Sequence, residues 1–274
     1  MITPPSEKVV HLNRYYHFTE LMRDPAIEGR LLRYRSAHDG TIQTVFILQP
    51  AGQKSDKLFF FFHGMDGDSG DGVVVRDIVK GLNATVVTMG GRGPAWISDA
   101  FLADAEQVIR THAAGFPNYY LIGISMGATQ ALSLAGLLPS DLRRSVIGLV
   151  ALLPGANLPA ILTHSSHERV RNTLRAAVNG DLALLEQRSP RQAMAQYEPT
   201  LPFVIFHNRE DTLLLANELE EFVSDLRRRG HSVTTFSVPG EHDFKYENFD
   251  YQKVIEKLGS DSTEYAAPLH SNAP

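Results

Sequence analysis

The sequence predicts an α/β fold: a mostly parallel sheet covered by helices on both faces, entered through an antiparallel hairpin and interrupted late by a small helical cap. Three observations predict it. Leu58-Phe59-Phe60-Phe61-Phe62 is apolar without alternation, as a central strand with both faces covered must be. From Val73 onward, short apolar strands alternate with helical stretches, the pattern of parallel βαβ units. With 274 residues and 43% hydrophobic content, the chain can bury one substantial core within a single domain.

The elements follow in order. Residues 1–30 are polar and broken by Pro4, Pro5 and Pro25, and read as an ordered peripheral arm, with Tyr15, Tyr16, Phe18 and Leu21 available to pack on the body. The main domain, 31–258, opens with strands at Leu31 to Tyr34 and Thr41 to Leu48 around an Asp39-Gly40 turn, a hairpin pattern, and a third at Lys57 to Phe62. A helix over Val73 to Leu82, a strand at Ala84 to Met89, a helix over Asp99 to His112 and a strand at Tyr119 to Ile124 come next. A helix from Met126 runs to Leu138, where Pro139 stops it, and Val146 to Leu153 is the following strand.

Residues 155–200 break the rhythm. Helical stretches near Ser166 to Val178 and Leu182 to Gln187, without a convincing strand, mark this interval as an inserted cap. The alternation resumes with a strand at Pro202 to Phe206 and a helix over Leu214 to Arg229. In that helix Leu215, Leu219, Phe222, Val223 and Leu226 form one apolar stripe, and Gly230 ends it. A last strand, Ser232 to Val238, and a helix within Asn248 to Leu258 precede a Ser-, Asp-, Ala- and Pro-rich tail, 259–274, expected to be flexible.

Composition narrows the function. A net charge of −5 argues against a broad nucleic-acid surface, which needs clustered Lys and Arg. The chain contains no Cys, which removes disulfides, thiolate metal sites and a Cys nucleophile. Neither a secretion-signal pattern nor an apolar run of the ~20 residues a membrane span needs is present, so a soluble, cytoplasmic protein is expected.

The strongest chemical signal is Gly123-Ile124-Ser125-Met126-Gly127, which joins an apolar strand to an Ala-rich helix. Turning sharply from strand to helix exposes the Ser hydroxyl above the sheet, and small neighbours let the two elements approach each other. Gly123, Gly127, Ala128 and Ala131 meet that demand. The helix N-terminus then aims free N–H groups at a developing oxyanion.

A serine hydroxyl needs a base. His207, His231 and His242 lie between the cap and the tail, and His242 stands just past the last strand, where a loop can hang an imidazole over Ser125. The acid that orients the base belongs on the loop after the preceding strand, which offers Asp211 and Glu210; Asp243, next to the base, reads as loop structure. The backbone N–H groups of Met126 and of Met65, which follows His63-Gly64 after the third strand, are the candidate oxyanion donors. Asp66, Asp68 and Asp71 crowd the same loop, but Gly70 and Asp71 stand where a calcium loop requires an oxygen ligand and a Gly. His164 and His167 lack the H-E-x-x-H arrangement, so no metal site is assigned.

These residues resemble the α/β-hydrolase superfamily, and within it esterases of the S-formylglutathione hydrolase and feruloyl esterase type. The resemblance spans roughly Leu58 to Leu258. The elbow at Ser125, Met89-Gly90-Gly91-Arg92-Gly93-Pro94-Ala95-Trp96 after the fourth strand, Arg188-Ser189-Pro190 at the cap exit, and Pro239-Gly240-Glu241-His242-Asp243-Phe244 carry it. It implies an α/β-hydrolase fold and matches Asp211, rather than Glu210, to the acid. Asn208 and Ala128 stand where many relatives have Gly, and neither change removes a catalytic group.

Together these readings imply acyl transfer by a serine hydrolase without cofactor or metal, acting on a small-molecule ester or thioester as a monomer or small homo-oligomer. Trp96 and Arg92 are candidate substrate contacts, Arg92 through a substrate carboxylate; Leu158 and Ile161 of the cap are further candidates for the pocket wall. Peptidase or amidase activity and acyl transfer to an acceptor other than water fit the same residues. A catalytically idle binding protein on this fold is the different-class alternative.

Overall fold

The computed structural model describes residues 24–238, 240–242, 253–254 and 256–258. Among these residues eight strands form one sheet in the order β1-β2-β4-β3-β5-β6-β7-β8. They are β1 (Ile27–Arg35), β2 (Ile42–Pro50), β3 (Lys57–Phe62), β4 (Ala84–Met89), β5 (Tyr119–Ile124), β6 (Val146–Leu152), β7 (Phe203–Asn208) and β8 (Val233–Val238). β1 pairs antiparallel with β2, and β2 antiparallel with β4. All pairings from β4 to β8 are parallel.

The helices are α1 (Arg76–Gly81), α2 (Asp99–His112), α3 (Met126–Leu137), α4 (Ser140–Arg143), α5 (Leu158–His164), α6 (Glu168–Ala177), α7 (Leu182–Arg188), α8 (Pro190–Ala193) and α9 (Ala216–Arg228). The period-2 geometry of β3 explains its continuous apolar run. Phe60 and Phe62 join one core cluster with Phe101 of α2 and Phe222 of α9, while Phe59 and Phe61 join the opposite cluster with Ile78 of α1 and Val254 and Leu258. Each of these phenylalanines is at most 1% exposed, and each such burial contributes roughly 1.5–3 kcal/mol.

Several expectations need correction. The hairpin runs longer than predicted: β1 starts at Ile27, because Ile27 to Leu32 pair with Val45 to Pro50, although Glu28 and Arg30 hide the apolar pattern on an edge strand. The helix expected over Val73 to Leu82 divides into a 3-10 turn, Ser69–Val75, and α1. Asp68 caps that turn by accepting the Gly70 N–H at 2.7 Å, and the tight winding brings Gly72 so close to Thr88 that a Cβ there would overlap its hydroxyl. In the cap, α5 and α8 were not foreseen. Asn157 caps α5 by accepting from the Ala160 N–H, and Pro159 stands in its first turn, both start signals present in the sequence.

Leu158, Ile161, Val170, Leu174 and Leu185 of the cap gather with Trp96, Met126 and Leu214 into a third cluster, apart from those flanking the sheet. Leu158 and Ile161 are therefore cap core. Residues 1–23, with the proposed packing of Tyr15, Tyr16, Phe18 and Leu21, lie outside the described residues, as do the tail 259–274, Asp243 and most of the expected last helix. Among the described residues no helix is long and apolar enough to cross a membrane.

Candidate active site

The parallel strands deliver their following loops to one edge of the sheet, where ligand sites of open α/β folds lie. Ser125 stands between β5 and α3 with φ 54° and ψ −118°, a left-handed conformation that costs a non-glycine residue about 1–3 kcal/mol. Surrounding bonds impose it. The Ser125 N–H donates to the Leu152 carbonyl at 2.7 Å, and the Thr129 N–H donates to the Ser125 carbonyl at 3.0 Å. Bare glycines are required on either side, because a Cβ on Gly123 would overlap the Gly127 carbonyl and one on Gly127 would overlap that of Phe62.

The fold brings Ser125, His242 and Asp211 together. Ser125 Oγ lies 2.7 Å from His242 Nε2, and His242 Nδ1 lies 2.6 Å from Asp211 Oδ2. Asp211 is buried and its second oxygen, Oδ1, accepts the N–H groups of Leu213 at 2.9 Å and Leu214 at 2.8 Å. The carboxylate is thus clamped by the turn before α9. Glu210 is exposed, so adjacent acids are separated by the direction the loop gives each. Asn208 Nδ2 donates to the Glu241 carbonyl, tying the loop of the acid to that of the imidazole. This tie was not anticipated; an Asn at a strand end, whose amide needs a partner wherever it is buried, was the available signal.

Met126 opens α3, so its N–H has no intrahelical acceptor. Met65 follows Gly64, where a Cβ would lie 3.9 Å from Ser125 Cβ, so the loop after β3 runs beside the serine. His63 braces this loop. Its Nδ1 is 2.6 Å from the Gly64 carbonyl and its Nε2 is 3.2 Å from that of Gly90, joining the loops after β3 and β4.

Ser125 and His242 open into a cavity of about 260 Å³ with Met65, Asp66, Trp96, His167, Arg169, Val170 and Leu213 on its walls. Trp96 lies where the sequence suggested. Its Nε1–H donates to Thr173 Oγ1 of α6 at 2.9 Å, and Gln130 Nε2 donates to its carbonyl at 2.6 Å. His167, Arg169, Val170 and Leu213 were missed, since nothing in the local pattern of the cap says which face of α6 looks down on the sheet.

Arg92, the other expected substrate contact, does not line this cavity. Its Nε donates to Asp104 at 2.6 Å, its Nη1 to Asp39 at 2.6 Å and its Nη2 to Ser36 at 2.8 Å. Hydrogen bonds from Arg92 and then Thr41 hold the Asp39 carboxyl well below the usual carboxylate range. The guanidinium is a fastener between the hairpin, α2 and the loop leading to Trp96. The acids after β3 also have structural roles: Asp68 and Asp71 cap the 3-10 turn, and Asp66 pairs with Arg169. Among the described residues no three His, Asp or Glu side chains gather as metal ligands.

No family model and no curated protein matches the chain. Solved structures do. The chain is similar to the fluorophosphonate-binding serine hydrolase F of Staphylococcus aureus, with a TM-score of 0.67 and 16% identity over 85% of this chain and 98% of that one. A structure from a study of two fungal esterases from Rhizomucor miehei gives a TM-score of 0.67 and 17% identity over 95% and 92% of the two chains. The acylaminoacyl peptidase of Pyrococcus horikoshii gives 0.66 and 15% over 89% of this chain, which spans only 43% of that longer protein. At these identities the likeness establishes the α/β-hydrolase fold, a scaffold shared here by esterases and a peptidase.

Proposed function

We propose that this α/β-hydrolase-fold protein is a serine hydrolase that cleaves a carboxylic ester or thioester with a small to medium acyl group. The observation that carries the reading is the unbroken relay from Ser125 Oγ through the His242 ring to the buried Asp211 carboxylate, with both links at hydrogen-bond distance. His242 Nε2 takes the Ser125 proton as Oγ bonds to the substrate carbonyl carbon. The oxyanion that forms is met by the Met65 and Met126 N–H groups. Collapse breaks the bond to the leaving oxygen or sulfur, which receives the proton from His242. Water, deprotonated by the same imidazole, then releases the acid and regenerates Ser125.

The position of Ser125 between two glycines that the backbone cannot do without supports the nucleophile assignment. Esterases and a serine hydrolase among the structural neighbours agree with it. The cavity, about 260 Å³, falls just below the ~300–1,000 Å³ of ordinary small-molecule sites and favours a short acyl group.

The test is reaction with a fluorophosphonate probe, followed by peptide mapping and turnover of p-nitrophenyl butyrate. Labelling at Ser125, and loss of both labelling and turnover in a folded Ser125→Ala protein, is the expected result. Folded wild-type protein that neither labels nor turns over would instead support a binding protein on a hydrolase scaffold. Faster cleavage of matched amides than of esters would move the substrate to peptides.

A further inference from the structure

Resting on the reading of Ser125 as the acylated residue, we propose that Arg169 selects acyl groups that end in a carboxylate. Four groups on the cavity wall, Met65, Trp96, Val170 and Leu213, present apolar surface beside Ser125. Besides the catalytic pair, three charged or ionisable side chains among the described residues share that wall: Arg169, His167 and Asp66. The acid is already engaged. Arg169 Nη2 donates to Asp66 Oδ1 at 2.5 Å and Nη1 to Oδ2 at 3.2 Å, the two-pronged geometry by which a guanidinium grips a carboxylate.

Asp66 thus shows what Arg169 binds. Their side chains are 54% and 61% exposed, and ion pairs this open to water hold together weakly. A substrate carboxylate that arrives with its carbonyl fixed at Ser125 competes on favourable terms, because the ester end is held and only the far end must exchange. The same arginine is firmly mounted. It lies in the first turn of α6, whose Thr173 hydroxyl accepts from Trp96 and donates to the Arg169 carbonyl at 2.9 Å. The head group is therefore presented from a helix seated on the opposite wall of the cavity.

Size sets the spacing. At interior packing density the cavity has room for about ten non-hydrogen atoms, enough for a short dicarboxylic acyl group whose methylenes lie along Met65 and Leu213.

The experiment compares monomethyl glutarate with methyl pentanoate, hydrolysed under pH-stat control, and follows the ratio of their kcat/KM values. Wild-type protein is expected to favour the glutarate half-ester. In Arg169→Gln the ratio should fall about tenfold or more, the loss expected when a charge-assisted hydrogen bond is removed. Asp66→Asn should raise the ratio by freeing the guanidinium, so the two variants move it in opposite directions. Added NaCl should raise KM for the half-ester and leave that for methyl pentanoate nearly constant. A ratio unchanged within threefold in both variants, with methyl pentanoate still cleaved, would overturn the role of Arg169 alone. Failure of every ester together with failure of fluorophosphonate labelling would overturn the hydrolase reading on which it rests.

Discussion

Replacing Asp211 separates two functions carried by its two oxygens. In Asp211→Asn the carbonyl oxygen can stay on the Leu213 and Leu214 N–H groups, leaving the amide NH2 to face His242 Nδ1. An NH2 there donates, so the ring must present a lone pair at Nδ1 and carry its proton on Nε2, the nitrogen that should receive the Ser125 proton. The expected cost is about 10⁴ in kcat with little change in stability. In Asp211→Ala both N–H groups lose their acceptor. Leu214 is buried, and one buried unpaired donor costs about 1–3 kcal/mol, so with the partly exposed Leu213 the total is roughly 2–4 kcal/mol. Initial rates on p-nitrophenyl butyrate and urea unfolding of both variants measure the two effects. An Asn variant retaining a tenth of wild-type kcat would refute the orienting role; equal stability of the two variants would refute the clamp.

Three further outcomes follow from the packing. Arg92→Met should destabilise the fold by about 3 kcal/mol because it leaves the Asp104 charge, 3% exposed, without its counter-ion and with only the Ser36 hydroxyl as a partner in place of the guanidinium, and adding Asp104→Asn should recover part of that loss in a double-mutant cycle. Gly123→Ala should lower the urea midpoint steeply or prevent folding, since its methyl would overlap the Gly127 backbone; a variant within about 0.5 kcal/mol of wild type, the ordinary surface-mutation scale, would contradict the elbow geometry. Burial lowers the His231 pKa, so the unfolded chain binds its proton more tightly than the folded one. The His231 contribution is present above the ordinary histidine value of about 6.5 and is lost as pH falls through and below it. Urea midpoints should drop from pH 7.5 to 5.5, and His231→Phe should flatten the slope; an equal slope in the variant would count against this.

The sheet and the elbow were legible because their signals are local. Phe59 to Phe62 announce a strand covered on both faces, and Gly123 and Gly127 announce a tight crossing of strand and helix around Ser125. Asp211 and Glu210 are less legible, since neighbours in sequence differ only in which one the turn buries. Arg92 was misread for the opposite reason. Its partners Asp39 and Asp104 are separated from it by 53 and 12 residues, and no local pattern announces a cluster drawn from three elements. The cavity wall contributed by Arg169 and His167 was hidden likewise, because the orientation of α6 is set by Trp96 and Thr173 meeting across 77 residues.

The third apolar cluster has a dynamic consequence. It joins the cap to the rest of the molecule mainly through Trp96, Met126 and Leu214, without any strand of the sheet. Segments held by a small, separate core open in native-state amide exchange at a lower free energy than the sheet beside them. Residues 158–188 should therefore exchange as one cooperative unit ahead of β3 and β5. Because Met126 places its side chain in that cluster, each such opening would also loosen the packing behind the N–H proposed as an oxyanion donor. On the proposed hydrolase reading, a cap that lifts to release product would thus weaken the chemistry beneath it until it settles again.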